Sequence, residues 1–486
     1  MSSTAPGKDP SESLELPSPR VLEWRVRALG CCFFLLFFSY MSIQQLQSSI
    51  NGDLGYYCNL SAYLFFAVSA VSAPYFISRF NSSLGILLGC SALAYVFNMT
   101  QNIVVFPGVF MASCAAVGTT AGTLWVGQGA YVAACAVALA LATGEALTDA
   151  SSRLNGIFFA AFQFSGCVGG TFSALLLMLA GSGARTLLFS ILSSVGFCAM
   201  FLFCCLSDPG TPGQIIFALP SCGLTRRSMP RITSSISNTG ETAAAISVPT
   251  PLVFITFLCK SRRLKTVLPL LFSMGAFQAV GFSTLTAALV APALGLSVVS
   301  WMGVVYYFSA FFSTSVASLL AQQPHIGRRW ILAVVGSLWV TCIGAMLAWV
   351  SVWPSTGIMG AILPPQEIAY PVLFLFAVVL GSGDGVFFSM VSATLQNWFP
   401  NESAFAYAAL RSAASVGTAV FCGIGPVVSP STQFIALIII FCVAALLFAS
   451  VHIYDVSIDA KQACDANSEP PVTAAKSGLT PVLLKT

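Results

Sequence analysis

The chain has 486 residues, of which 57% are hydrophobic and only 7% charged, against about a quarter charged in a soluble domain. So few charges cannot cover a water-facing surface, and the mean hydropathy of +0.87 points to a bilayer. The formal charge of +4 comes without a basic stripe interleaved with aromatics, which argues against nucleic acid as a partner.

In chain order, residues 1–27 form a tail rich in Ser and Pro that is expected to be disordered. The apolar run that follows lacks a small-residue cleavage site and exceeds signal-peptide length, so it reads as a span. Apolar runs over 28–45, 54–78, 84–102, 107–137, 155–179 and 185–206 are each long enough to cross the hydrocarbon core. Their continuity predicts helices, because a barrel would show strands of about ten residues with alternating polarity. Residues 207–265 then turn polar and carry seven of the twenty Lys and Arg residues. Within this stretch, Thr250 to Leu258 is apolar but too short to span. Six more spans follow near 266–291, 297–321, 329–353, 370–394, 403–427 and 432–454, and a polar tail, also expected to be disordered, closes the chain at 455–486.

The predicted fold is therefore an all-α integral membrane protein of twelve transmembrane helices. An N-terminal half (28–206) and a C-terminal half (266–454) are joined by a cytosolic linker, the layout of the major facilitator fold. Charge gives the orientation. With the N-terminus in the cytosol, eighteen of the twenty basic residues fall on that side, Arg185 falls outside, and Arg411 lies within a span. Both termini are thus expected in the cytosol, in a plasma membrane or an endomembrane.

Most of the sixteen cysteines lie inside apolar spans and read as small buried hydrophobes rather than a disulfide framework. The doublets Cys31-Cys32 and Cys204-Cys205 are candidates for palmitoylation. The linker sequence Cys222 to Ser228, with Arg226 and Arg227, is a candidate phosphorylation or anionic-lipid segment. His325 and His452 are far apart with no Cys or carboxylate at ligand spacing, so no metal or other cofactor is expected, and no catalytic constellation is visible. Sequons start at Asn59, Asn81, Asn98 and Asn401, but all fall in the membrane or on the cytosolic side, so no glycosylation is expected.

Several short motifs occur in a telling order. They are Leu46-Gln47-Ser48-Ser49-Ile50-Asn51, then Leu124-Trp125-Val126-Gly127-Gln128-Gly129-Ala130-Tyr131, then Gly156-Ile157-Phe158-Phe159 running to Gln163. In the second half come Gly381-Ser382-Gly383-Asp384 and Glu402-Ser403-Ala404-Phe405-Ala406. Together they resemble the uncoordinated-93 family of the major facilitator superfamily. The resemblance implies an accessory protein that regulates a channel or escorts a receptor, with secondary transport of a small solute or ion as the alternative. Two departures stand out. Gly169-Gly170 replaces the family's usual Gly-Asn, and the basic loop after the second span is reduced to Arg79-Phe80-Asn81, although Gly327-Arg328-Arg329 keeps its counterpart. Beyond the lipid bilayer, the implied partner is another membrane protein, and no substrate is named.

Two sets of intramembrane residues are candidate sites. Gln47, Gln128, Gln163 and Gln278 are amides in apolar spans, where each needs a partner across helices or water in a central polar cavity. Asp384 and Arg411 are ionisable groups expected at matching depths, about 15 and 12 Å from the cytosolic face at 1.5 Å per residue. Such groups are costly in a bilayer unless paired or facing water. An ion pair or shared polar network facing the interior of the second half is therefore expected, either fixing the packing or opening as a switch.

Overall fold

The computed structural model describes residues 17–80, 83–179, 184–209, 250–323, 327–353 and 364–468, with backbone alone at 45–50, 177, 184–185, 296–297 and 451–468. Among the described residues, twelve helices are long and apolar enough to cross a membrane. In the first half these are α1 (Pro19–Asn51), α2 (Asp53–Arg79), α3 (Leu84–Gln101), α4 (Pro107–Thr143), α5 (Leu147–Leu179) and α6 (Ala184–Cys205). A short α7 (Pro251–Lys260) precedes α8 (Arg262–Ala279), a π-helical stretch Val280–Val290 and α9 (Ala291–Leu294), which together make the seventh span. The remaining five are α10 (Leu296–Leu320), α11 (Arg328–Val352), α12 (Gln366–Trp398), α13 (Ser403–Ile424) and α14 (Pro430–Ser468).

Several expected boundaries move. The first helix starts at Pro19, where Pro occupies a first-turn position that needs no N–H. Residues 19–27 are therefore helix rather than disordered tail. Arg25 is wholly buried, and its Nη1 donates to the Pro209 carbonyl at 2.8 Å. The segment after α6 is tied down further: Tyr131 donates its hydroxyl to the Ser207 carbonyl at 2.8 Å, and Asp208 accepts from the Leu84 N–H at 2.9 Å. Burial pushes the Asp208 carboxyl above its ordinary value, opposed by the Leu84 and Gly85 N–H groups and the charge of Arg25. At the other end, helical backbone runs to Ser468, past the expected end at 454. The fourth, fifth and tenth spans also lengthen, to Thr143, from Leu147 and to Trp398. The short apolar run of the linker becomes α7, which buries Phe254 and rests Phe257 against Phe399 and Phe405. Linker residues 210–249, with Cys222 to Ser228, lie outside the described residues, as does His325.

Lipid offers no hydrophobic drive between helices, so close packing and hydrogen bonds must hold them. Small residues provide that packing at corresponding places in the two halves. In α4, Gly118 and Gly122 lie one turn apart against the α2 backbone at Ala62, Ser69 and Ala70. Ser69 Oγ closes the contact by donating to the Gly118 carbonyl at 2.7 Å and accepting from the Gly122 N–H at 3.1 Å. In α12, Gly381 and Gly385 sit likewise against the α10 carbonyls of Tyr306 and Ala310. Between halves, α2 runs along α13 and α5 along α10. Arg79, Arg153, Arg328 and Arg329 all lie at one end of the bundle, called the basic end below.

At Gly275 in α8, a Cβ would be forced into the backbone of Ala414 in α13, which is not a movable side-chain tip. Gly275→Ala is expected to destabilise the fold by about 1–3 kcal/mol through overpacking. Thermal unfolding in detergent checks this. The expected result is a clear loss of stability, whereas Gly344→Ala, with open space around its Cβ, should unfold like the parent.

Candidate functional site

A cavity of about 60 Å³ lies where the halves meet, lined by residues from the middle of their helices. Its walls are aromatic, from Phe37, Tyr40, Tyr95, Trp125 and Phe162 in the first half to Tyr307 and Phe388 in the second. Five side chains bring stronger polarity: Gln44 (α1), Gln163 (α5), Gln278 (α8), Asp384 (α12) and Arg411 (α13). The glycines of α12 explain how an acid comes so deep. Gly381, Gly383 and Gly385 pack against α10 and the Trp339 indole, which presses α12 inward and turns Asp384 to the centre.

Both charges reach across to the opposite half. Asp384 Oδ2 accepts from Gln163 Nε2 at 3.3 Å, while its Oδ1 is buried with no hydrogen-bond partner. The Arg411 guanidinium lies 4.1 Å from the ring centre of Trp125, with Phe388 at 5.1 Å and Phe159 at 6.0 Å. Its Nε and Nη2 are likewise buried and unpartnered. A cation over aromatic faces gains some of what water would give, but no carboxylate meets it. Among the described residues, ion pairs within 4.0 Å join only Glu23, Arg27, Glu145 and Arg153, all at the basic end. The expected direct pair is thus corrected. Asp384 and Arg411 share a cavity without touching, and they face the interface between halves rather than the interior of the second half. The reason is local: each finds a first-half partner, an amide for the acid and an indole for the base.

Of the four candidate amides, Gln163 and Gln278 line the cavity. Gln128 does not: it is fully buried in α4 beside the tightly packed Gly127 and Gly129, and neither amide atom has a partner. The side chain of Gln47 lies outside the described residues. Gln44, one turn earlier, lines the cavity instead and donates to the Tyr63 hydroxyl at 2.8 Å. Among the described residues, no cluster of His, Cys, Asp or Glu could hold a metal.

Between the cavity and the basic end lies a polar cluster that the sequence reading missed. Asn155 Nδ2 donates to Gln396 Oε1 at 2.7 Å, Gln396 Nε2 donates to the Tyr407 hydroxyl at 2.7 Å, and that hydroxyl donates to Asn155 Oδ1 at 3.1 Å. The ring joins α5 of one half to α12 and α13 of the other, and all three residues are buried. Gly129 of α4 has no side chain because the Tyr407 ring fills that space. Nearby, Arg328 reaches back to the Thr148 carbonyl and the Ser152 hydroxyl of α5. The available signal was three polar residues within about three turns of the basic end of three spans, but no sequence spacing links them.

Two predictions follow from this geometry. Tyr407→Phe leaves Asn155 Oδ1 and Gln396 Nε2 without their partner in a dry site, which is expected to cost about 1–3 kcal/mol. The loss should appear in detergent thermal unfolding, together with faster labelling of cysteines placed at the basic end. For Asp384→Asn combined with Arg411→Gln, a double-mutant cycle should show a coupling well below the 3–5 kcal/mol of a broken contacting pair. A coupling of that size, measured by unfolding of the four proteins, would mean that the charges do touch.

No family model matches the chain. Curated relatives match it over most of its length. UNC93-like protein 3 of Arabidopsis thaliana is 25% identical over 424 residues, covering 85% of this chain and 82% of its own. Protein unc-93 homolog A of Mus musculus is 25% identical over 459 residues, covering 90% of this chain and 94% of its own. A shorter match, 29% over 161 residues, covers 32% of this chain and 22% of the Caenorhabditis elegans protein named "Putative potassium channel regulatory protein unc-93". Among solved structures, the human organic anion transporter MFSD10 superposes with a TM-score of 0.52 at 14% identity, covering 88% of this chain and 99% of its own. The Escherichia coli fucose:proton symporter FucP gives 0.56 at 12% identity, covering 87% and 97%. At those identities the structural likeness speaks for the fold. Over most of its length the chain is thus similar to uncoordinated-93-like proteins, and its twelve apolar helices adopt the major facilitator fold.

Proposed function

We propose that this protein serves other membrane proteins, regulating a channel or escorting a receptor, with both termini in the cytosol and no enzymatic activity of its own. The observation that carries this reading is the narrowness of the centre. A water molecule needs roughly 10–15 Å³ of such space, so a cavity of about 60 Å³ holds a few waters and no metabolite. The Asn155–Gln396–Tyr407 ring and the Arg328 contacts hold the halves together on the basic side of that cavity. The regulatory name of the nematode relative supports the same reading. The orientation rests on the basic residues gathered at one end, the side that cytosolic loops normally occupy.

A second reading, secondary transport, is favoured by one specific observation. A buried acid and a buried base that each keep polar atoms without a hydrogen-bond partner form a costly arrangement in a membrane, of the kind kept where an ion or substrate is received. A lock between the halves discriminates. A Cβ on Gly156 would lie 2.6 Å from Ser318 Cβ, so cysteines at these two positions can bridge α5 and α10 once the helices move apart by about 1 Å. The oxidised Gly156→Cys, Ser318→Cys protein is expected to keep its effect on the surface delivery or current of the partner found by proximity labelling. Purified protein in proteoliposomes should show no saturable exchange. Exchange that stops on oxidation and returns with reductant would overturn the accessory reading and establish the transporter.

A further inference from the structure

The third and sixth helices of each half stand side by side, and the halves differ there. In the first half, Gly85 and Gly89 of α3 press onto the α6 backbone around Met200, Phe203 and Leu206, and the pair is closed. In the second half the equivalent helices, α11 and α14, touch over a shorter stretch. Gly336 of α11 meets the Phe441 and Phe387 rings rather than backbone, and a groove of about 1120 Å³ opens beside the contact on the lipid-facing side. Phe387 and Phe441 form its floor, while Trp330 and Leu446, 61% and 73% exposed, stand at its rim.

The polarity of the groove is one-ended. Its two α11 hydroxyls are already engaged, Ser337 donating to the Ala333 carbonyl and Thr341 to the Ser337 carbonyl, each at 2.9 Å. The walls therefore offer hydrocarbon and sulfur. The single charge lining it is Arg329, at the basic end, exposed and 5.9 Å from the ring centre of Trp330. Arg328 beside it turns away to α5. The helix that supplies Leu270 to the groove begins at the same end with Arg262, Arg263 and Lys265. From Arg329 to Thr341 the groove runs about 18 Å at 1.5 Å per residue, close to one leaflet of a core about 30 Å thick.

We propose that this groove is a binding site for an anionic phospholipid of the leaflet at the basic end. An acyl chain lies between α11 and α14 over Phe387 and Phe441, and the phosphate rests on Arg329 with the glycerol beside Trp330. A zwitterionic lipid fits the same walls but gains less from the cation. One such charge near a membrane surface is worth about 1 kcal/mol, or about fivefold in affinity.

The test uses the full-length protein in mixed micelles of phosphatidylglycerol and phosphatidylcholine, with retained lipid read by native mass spectrometry. The wild type is expected to retain phosphatidylglycerol about fivefold over phosphatidylcholine. Arg329→Gln, a change at an exposed position, should remove that preference, and Arg79→Gln, a basic-end charge outside the groove, should keep it. Val340→Trp, which fills the groove, should lose both lipids. A phosphatidylglycerol with a photoreactive group on its acyl chain should label peptides of α11 and α14. Equal retention of the two headgroups, an Arg329→Gln protein that still prefers phosphatidylglycerol, or labelling confined to other helices would overturn the proposal. So would a groove found occupied by the transmembrane helix of a co-purified protein.

Discussion

A polar group in hydrocarbon has no water to turn to, and most of this structure can be understood as the search for substitutes. Backbone groups find them within helices. Side-chain hydroxyls mostly find them one turn back on their own helix, as Thr100, Ser91 and Thr394 do. Amides and charges cannot be satisfied that way and must reach another helix. They collect at the interface of the two halves, where Gln163, Gln278, Asp384 and Arg411 converge on one small cavity.

The same constraint explains why glycine matters more here than its lack of a side chain suggests. Without a hydrophobic drive between helices, contact area must come from close approach. Gly118 and Gly122 in one half, and Gly381 and Gly385 in the other, let whole helices sink onto their neighbours. That approach brings Ser69 within reach of two backbone groups of α4, and it sets Asp384 at the centre of the bundle. Where the pattern lapses, between α11 and α14, the contact is looser and leaves a groove that faces lipid.

Charge and closure are separated along the bundle. The basic end holds the ion pairs of Glu23, Arg153 and Glu145 and the buried Arg25, and the Asn155–Gln396–Tyr407 ring lies just inside it. The middle holds an acid and a base that remain apart.

How much of this was legible in the residues depends on the range of the interaction involved. Span number, the all-helical class and the two-half layout follow from the length and apolarity of each run, which are local properties. The resemblance carried by Gly381 to Asp384 and by Trp125 to Tyr131 marked the packing-critical stretches for a similar reason, since glycines mark close approach wherever they fall. Helix ends were less legible. Pro19 to Arg27 reads as tail because it continues a stretch rich in Ser and Pro and mixed in charge, whereas the burial of Arg25 depends on the carbonyl of Pro209, far along the chain. The pairing of Asp384 with Arg411 was inferred from equal depth on adjacent spans, which fixes height in the bundle but not rotation about the helix axis. Tertiary packing decided that rotation, turning one group to Gln163 and the other to Trp125. The sequence by itself determined that these charges would lie deep in the membrane. Which neighbours they meet there was decided by the way two halves, each packed on its own glycines, come together.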